Sequence, residues 1–353
     1  MLRPGSDLLV AVLVAEAALL LLGVVVLMGH AVFWHVQRAV VAPKRELAQR
    51  ELISFLHQPP GRRSSLPVFS ALRRREKLRT LLGLAASLKG QRAELLTALA
   101  VHHGLVVWAE LRCRSRLWWR RLYAARLLTI IGGGRHWMLP LLRDRDPSVR
   151  SAAAEWTVGN GSPDVIQALL PLLSDPAGIC RFTAQDSLLR MGESAVQPLV
   201  AYLGSASGAE AEPALNVAVS LADARLLAPA LAFHRDAHPG TRRNAARLLA
   251  ALGGGVAVRT LLEMTSDEDA SVRSAAARGL GVLESVEAAP RLAGLLRDPG
   301  WEVRRQAGLA LRALGAAGRM YLRRALTDRD RFAADMARQV LDLPESVGRV
   351  VSP

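Results

Sequence analysis

The stretch Asp144-Arg145-Asp146-Pro147-Ser148-Val149-Arg150 decides the architecture of this chain, because it recurs. A close copy is Asp267-Glu268-Asp269-Ala270-Ser271-Val272-Arg273, and looser copies begin at Asp175, Asp236, Asp298 and Asp328. The first Asp of successive copies advances by 30 or 31 residues, except for one double step across Ser205. A fixed period of this length is typical of proteins built from stacked repeats.

Each period predicts a pair of helices. Within the motif, Asp can cap a helix and Pro suits its first turn. Ala and Leu follow at helical spacing, as in Ala276, Leu280 and Leu283, and a glycine such as Gly192 can end the helix in a left-handed turn. A second amphipathic segment, for example residues 165–173, fills the rest of the period. Because such a hairpin cannot bury its apolar face alone, neighbouring hairpins must stack.

This pattern resembles the HEAT repeat class, specifically the short HEAT-like repeats named after phycobilisome lyases, over residues 115–343. The resemblance implies an all-α, right-handed α-solenoid of about eight helical hairpins that presents binding surfaces. It also implies that the motif Asp and Arg residues bond between adjacent repeats. This predicted ladder comprises Asp144, Arg150, Asp175, Arg181, Asp236, Arg242, Asp267, Arg273, Asp298 and Arg304. The copy near Ser205 lacks both residues, and Ala334 replaces the Arg of the last copy, which suits a terminal cap.

Arginines outside the motif register are the best candidates for contacts with a partner. They fall on the helices that would line the concave side of the solenoid, and we predict a partner-binding surface there: Arg243, Arg247, Arg278, Arg305 and Arg312. The alternative is that these residues only solubilise an exposed face. An acidic partner surface would gain orientation and association rate from them.

The first part of the chain predicts a membrane anchor. Residues 8–28 contain one ionisable residue, Glu16, and their length matches the roughly 30 Å hydrocarbon core of a bilayer. A cleaved signal peptide would have a shorter apolar run. Basic residues concentrate after the span, so the positive-inside rule predicts a single-pass inner-membrane protein, N-terminus out, with the solenoid in the cytoplasm. Glu16 leaves two interpretations open, a tolerated carboxyl group and a polar contact to another transmembrane helix.

A basic segment separates the predicted anchor from the repeats. The formal net charge of the chain is +15, and residues 38–92 contain 13 basic and 3 acidic residues. We divide the chain into a leader (1–7), the transmembrane helix (8–28), this basic juxtamembrane helical segment (29–114), the solenoid (115–343) and a tail (344–353). The segment is either a solvated helical face or a contact with anionic lipid headgroups. The predicted membrane-surface residues are Arg73, Arg74, Arg75 and Arg79.

The sequence shows little sign of catalysis. Ala and Leu dominate a 51% hydrophobic, 5% aromatic composition, which favours helices over a β-sandwich. Cys113 and Cys180 cannot form a disulfide framework or a multi-Cys zinc site and are expected to be reduced. His234 and His238 have a spacing that can hold zinc on a helix, but the following Pro239-Gly240 predicts a loop. We therefore expect no enzyme, no cofactor and no metal site.

These observations together predict a membrane-anchored scaffold or adaptor that binds a partner protein, itself membrane-associated, at the cytoplasmic face. The alternatives are binding of anionic phospholipid or nucleic acid through Arg-rich surfaces, and a lyase-like enzyme subunit, which only the resemblance suggests. Nucleic acid is disfavoured because the basic excess lies mainly in residues 1–120, whereas nucleic-acid binding usually needs a clearly basic domain.

Overall fold

The computed structural model describes residues 4–36, 39, 42–59, 65–85, 88 and 90–344. Arg38, Arg62 and Arg63 of the basic segment, most of the predicted tail and residues 1–3 of the leader lie outside the described residues. The described residues form helices and turns and contain no strand. The chain divides into two compact units, one of residues 1–111 with 130–133 and one of residues 112–129 with 134–353.

The first unit begins with one long apolar helix. Helix α1 (Pro4–Val36) is 33 residues long, and its stretch Leu13–Phe33 has the length and a mean hydropathy of 2.2 suited to crossing a membrane. Its large apolar side chains are exposed, Leu20 by 73%. This stretch overlaps the predicted span 8–28 over residues 13–28.

Five shorter helices complete the first unit, and their buried side chains form a small core. They are α2 (Ala42–His57), α3 (Pro67–Ala71), α4 (Arg74–Ala85), α5 (Gln91–His102) and α6 (Leu105–Cys113). Leu52, Phe69 and Leu81 are fully buried in this core. The Glu51 carboxylate accepts backbone N–H bonds from Val68 (3.2 Å) and Phe69 (2.7 Å), which satisfies free donors at the start of α3.

The second unit is a stack of helical hairpins. We call the helices that follow each copy of the motif the motif helices, and those that complete each hairpin the return helices. The motif helices are α7 (Trp118–Ile131), α9 (Pro147–Trp156), α11 (Gly178–Met191), α13 (Ala211–Leu221), α15 (Pro239–Leu252), α17 (Ala270–Val282), α19 (Trp301–Ala313) and α21 (Arg331–Asp342). The return helices are α8 (Arg135–Leu141), α10 (Pro163–Leu169), α12 (Glu193–Leu203), α14 (Leu227–Ala232), α16 (Gly254–Met264), α18 (Ala289–Leu295) and α20 (Gly315–Ala325). In the described part of the chain this makes seven complete hairpins, with α21 as a single closing helix.

The two motif Asp residues have different tasks. The second one caps the helix: Asp146 accepts the backbone N–H groups of Ser148 and Val149, and Asp269 does the same at α17. The first one closes the turn before it, since Asp144 accepts the N–H of Asp146 (2.9 Å). The predicted Asp cap is therefore made by the second Asp, while the leading carboxylate also accepts hydrogen bonds from an arginine.

Consecutive motif helices approach closely because small residues separate them. A Cβ atom added to Gly281 of α17 would lie 2.7 Å from the Cα atom of Ala310 of α19. A Cβ atom added to Gly279 would lie 2.9 Å from the Cβ atom of Ala250 of α15. Val149, Cys180 and Val272, each of which precedes a motif Arg, are fully buried. The stack therefore keeps its repeat register through close packing of backbone and small side chains.

Candidate functional site

Four motif arginines form a ladder between adjacent repeats. In each, Nε and Nη2 donate to the two oxygens of one carboxylate in the next repeat, at 2.6–2.9 Å, and Nη1 donates to two backbone carbonyls of its own motif. The pairs are Arg121–Asp144, Arg150–Asp175, Arg242–Asp267 and Arg273–Asp298. A bidentate arginine–carboxylate pair is among the stronger polar contacts, and here it joins repeats.

The ladder is largely shielded from water. In the pair Arg273–Asp298 the side chains are 14% and 6% exposed. Burial by itself would raise the pKa of Asp298, but the hydrogen bonds from Arg273 and from the Gly300 N–H outweigh it, so the pKa lies below the usual carboxyl value. The side-chain bond to Asp298 raises the pKa of Arg273. These guanidinium groups are therefore occupied within the fold.

The ladder is interrupted at the copy near Ser205. Arg181 donates to the backbone carbonyls of Asp175 and Pro176 and has no carboxylate partner among the described residues. On the other side of the gap, Asp236 accepts the backbone N–H of Gly208 (3.2 Å) in place of an arginine. The predicted bond between repeats is thus wrong for Arg181 among the described residues, whereas Asp236 does bond across the gap, to a backbone N–H rather than to an arginine.

The ladder also ends before the last repeat. Arg304 is 9% exposed and bonds the backbone carbonyls of Asp298 and Pro299, but its Nε has no hydrogen-bond partner. Its guanidinium carbon lies 5.0 Å from the centre of the Phe332 ring. The carboxylate that would complete this rung, Asp328, instead binds the more exposed Arg297. The predicted inter-repeat role of Arg304 is therefore wrong as well.

Three of the five predicted partner-binding arginines have partners within the fold. Arg243 donates to Glu212 (2.7 Å), and Arg305 donates to Glu302 (3.3 Å). Arg312 donates to the backbone carbonyls of Val340 and Pro344, both at 2.7 Å, and so holds the end of α21. The prediction that Arg312 belongs to the partner-binding surface is therefore wrong, because both hydrogen bonds hold its guanidinium group at the end of the closing helix.

The other two arginines, Arg247 and Arg278, are exposed on adjacent motif helices and have no carboxylate partner among the described residues. Arg247 donates only to the neutral amide oxygens of Asn216 (3.1 Å) and Asn244 (3.2 Å). Burial lowers the pKa of Arg247, and the neighbouring charges of Arg243 and Arg278 lower it further. Arg247 and Arg278 therefore place two cations without carboxylate partners among the described residues on adjacent motif helices.

The two arginines border a groove across α15, α17 and α19, which we call the Arg278 groove. One cavity of about 380 Å³ contacts Arg247, Arg278, Ser274 and Gln306. A second cavity of about 250 Å³ shares Arg278 and Gln306 and continues to Arg305. Since the cavities share these residues as walls, they lie next to each other along neighbouring repeats.

A larger cavity lies among the return helices and has a different character. It measures about 840 Å³ and contacts Arg297, Tyr321, Arg324 and Asp328. The bond between Arg297 and Asp328 neutralises part of its charge. We therefore place the candidate site at the Arg278 groove, where two adjacent arginines lack carboxylates.

The predicted membrane-surface arginines lie around the start of α4 in the first unit. Arg73, Arg74, Arg75 and Arg79 are exposed, whereas the acidic residue among them, Glu76, is buried. Arg79 donates to Glu76 at 3.2 Å, and the guanidinium carbon of Arg74 lies 5.7 Å from the centre of the Trp108 ring. The start of α4 therefore presents a cationic surface.

The remaining sequence features take structural positions. Cys113 and Cys180 are buried and form no disulfide among the described residues, and burial raises the pKa of Cys180. His234 and His238 lie in a turn, and the part of the chain that the structure describes has no cluster of three or more residues able to hold a metal. Trp156 is fully buried, whereas Trp301 is 56% exposed beside the groove residues Gly300 and Glu302.

Comparison with known proteins identifies the class. The family model of HEAT repeats matches residues 136–218 and 225–312. The stacked hairpins over these residues are therefore HEAT repeats. No curated protein matches the chain significantly.

Solved structures of low sequence identity resemble the chain. The CpcE–CpcF complex of phycocyanin lyase from Nostoc sp. PCC7120 is 18% identical, with a TM-score of 0.31, covering 67% of this chain and 93% of that chain. Human deoxyhypusine hydroxylase is 20% identical, with a TM-score of 0.30, covering 84% and 96%. The YibA protein of Escherichia coli is 16% identical, with a TM-score of 0.41, covering 68% and 95%.

Proposed function

We propose that this protein is a membrane-anchored HEAT-repeat scaffold that binds a partner protein through its motif helices at the cytoplasmic face of the membrane. The observation that carries the proposal is the Arg278 groove, where two exposed arginines on adjacent repeats lack carboxylate partners among the described residues. On the same two helices the ladder arginines Arg242 and Arg273 are paired with carboxylates, which leaves Arg247 and Arg278 available to another molecule. Binding rather than catalysis is the proposed activity.

Site-specific photocrosslinking tests the binding surface in living cells. A benzophenone amino acid at Gln306, which borders both cavities of the groove, should capture a protein. The same group at Arg319, which is exposed on return helix α20, is the matched control and should not capture that protein. Equal capture at both positions, or none at Gln306, would contradict the proposed surface.

Membrane anchoring is supported by α1, whose exposed apolar stretch matches the thickness of a bilayer. The basic residues after it support an orientation with the repeats in the cytoplasm. A C-terminal alkaline phosphatase fusion should be inactive and a C-terminal fluorescent-protein fusion bright, both in the membrane fraction. An active phosphatase fusion would contradict the proposed orientation. Extraction of the protein from the membrane by carbonate would contradict the proposed transmembrane anchor.

A second candidate activity is contact between α4 and anionic lipid headgroups. It is supported by the four exposed arginines around a buried Glu76, since each basic residue near an anionic surface contributes about 1 kcal/mol of attraction. In nanodiscs, anionic lipid should slow tryptic cleavage at Arg73, Arg74 and Arg75 relative to zwitterionic lipid, and salt should remove the protection. Equal cleavage rates in both lipids would exclude the contact.

A further inference from the structure

A third, smaller cavity of about 70 Å³ shares Arg247 and Arg278 with the groove, and its other lining residues are apolar and mostly small. They are Val219, Ala250, Ala251, Ala275, Gly279 and Val282, and we call them the floor of the Arg278 groove. A floor of this kind has no long side chains that would hold a ligand at a distance. It therefore permits close approach of an extended backbone, with the two guanidinium groups standing above it.

The two arginines are in repeat register. Arg247 and Arg278 are 31 residues apart and occupy the same position in consecutive motif helices. Packed helices lie roughly 8–10 Å apart, and residues two apart on an extended strand project from the same side about 6.6–6.8 Å apart. The two distances differ by about 1–3 Å, and long acidic side chains at positions i and i+2 of an extended segment bridge that difference by splaying apart, so that each reaches one arginine.

The charges in the groove favour a peptide over a polyanion. Arg247 lies among other cations, and an incoming carboxylate would relieve the repulsion that Arg243 and Arg278 impose on it. However, Glu212 on α13 and Glu302 on α19 lie on the motif helices to either side and would repel a continuous phosphate backbone. A peptide whose carboxylates are separated by apolar residues can place each carboxylate at an arginine and keep it away from Glu212 and Glu302.

We propose that the Arg278 groove binds an extended acidic segment of the partner protein, with carboxylates two residues apart on Arg247 and Arg278 and small apolar side chains on the floor between them. This inference rests on the proposed scaffold function, because it specifies the chemistry of the partner. Such contacts govern orientation and association rate, so binding should weaken with salt.

The test uses the full chain in a neutral detergent and fluorescence anisotropy. One labelled peptide alternates Glu and Ala, and a second has the same composition arranged as Glu-Glu-Ala-Ala repeats, which removes the i, i+2 spacing. The alternating peptide should bind several-fold more tightly, and salt should weaken it. Arg247→Glu with Arg278→Glu should weaken it by at least about tenfold.

Matched controls keep the result specific. Arg259→Glu with Arg319→Glu makes the same change in net charge on exposed return-helix positions and should leave binding unchanged. Arg247→Gln with Arg278→Gln should also weaken binding, and its circular dichroism melt should match the wild type. Equal loss in both charge-reversal variants, equal binding of both peptides, or displacement by equimolar inorganic phosphate would overturn the proposal. If the Gln306 crosslink to a protein persists in the Arg247→Glu, Arg278→Glu variant, the scaffold function stands and the acidic segment is wrong.

Discussion

Replacing Arg273 with alanine measures what one rung of the ladder contributes. The change deletes two bonds to Asp298, of 2.7 and 2.9 Å, and two bonds to the carbonyls of Asp267 and Glu268. Removing one partner of a buried ion pair costs about 3–5 kcal/mol. Because Asp298 keeps the bond from the Gly300 N–H, we expect the lower end, about 3 kcal/mol. For a unit of this size that corresponds to a fall in Tm of about 6–12 °C.

Arg181→Ala provides the matched comparison, because Arg181 makes the same backbone bonds without a carboxylate partner among the described residues. Two exposed hydrogen bonds are worth about 1 kcal/mol in total, so Tm should fall by about 2–4 °C. Both variants are melted in the same detergent, with the helical circular dichroism signal as the readout. If Arg181→Ala lowers Tm as much as Arg273→Ala, the loss does not come from the bond between repeats and the reasoning is refuted.

Three further changes follow from the same contacts. Ser205→Asp places a carboxylate at the interrupted rung, where it can pair with Arg181, and should raise Tm by about 2–4 °C; a Tm at or below that of the wild type would mean that the loop cannot bring the two groups together. Gly281→Val should lower the free energy of unfolding by more than about 3 kcal/mol, because its Cβ atom would lie 2.7 Å from the Cα atom of Ala310, and an unchanged denaturation midpoint would show that α17 and α19 separate easily. Acid should also destabilise the stack: the folded-state pKa of Asp298 lies below its unfolded value, so its stabilisation is present at neutral pH and is lost as pH falls from about 3.8 through the folded pKa, and a Tm independent of pH below 4 would contradict this.

The repeat architecture was predictable because its causes are local and recur. The motif from Asp144 to Arg150 combines a helix cap, a first-turn residue and a buried valine, and each copy repeats that chemistry at a fixed period. The structure places a motif helix after each copy, including the weak copy near Ser205, where α13 still forms. Helix bounds in the stack were therefore largely readable from the spacing of Asp, Ala, Leu and Gly.

The candidate site was predictable only in part. The sequence separates motif arginines from non-motif ones, and that distinction marked Arg247 and Arg278 together with three others. It carries no signal that Glu212 would reach Arg243, or that Arg312 would bond the carbonyl of Val340. These contacts join residues 28 to 31 positions apart, so they depend on how side chains meet between neighbouring helices.

The sequence by itself determined the helical repeats, their period and the apolar N-terminal helix, because capping, periodicity and hydropathy act within a few turns of the chain. Only the tertiary structure decided which arginines form ion pairs within the fold. In the ladder, Arg242 and Arg273 are paired with carboxylates, whereas Arg181 has no carboxylate partner among the described residues. Arg247 lies beside the like charge of Arg278. The physical reason is that an arginine is paired or unpaired according to the carboxylate that packing brings within about 3 Å of it, and packing is a property of the stack rather than of the repeat.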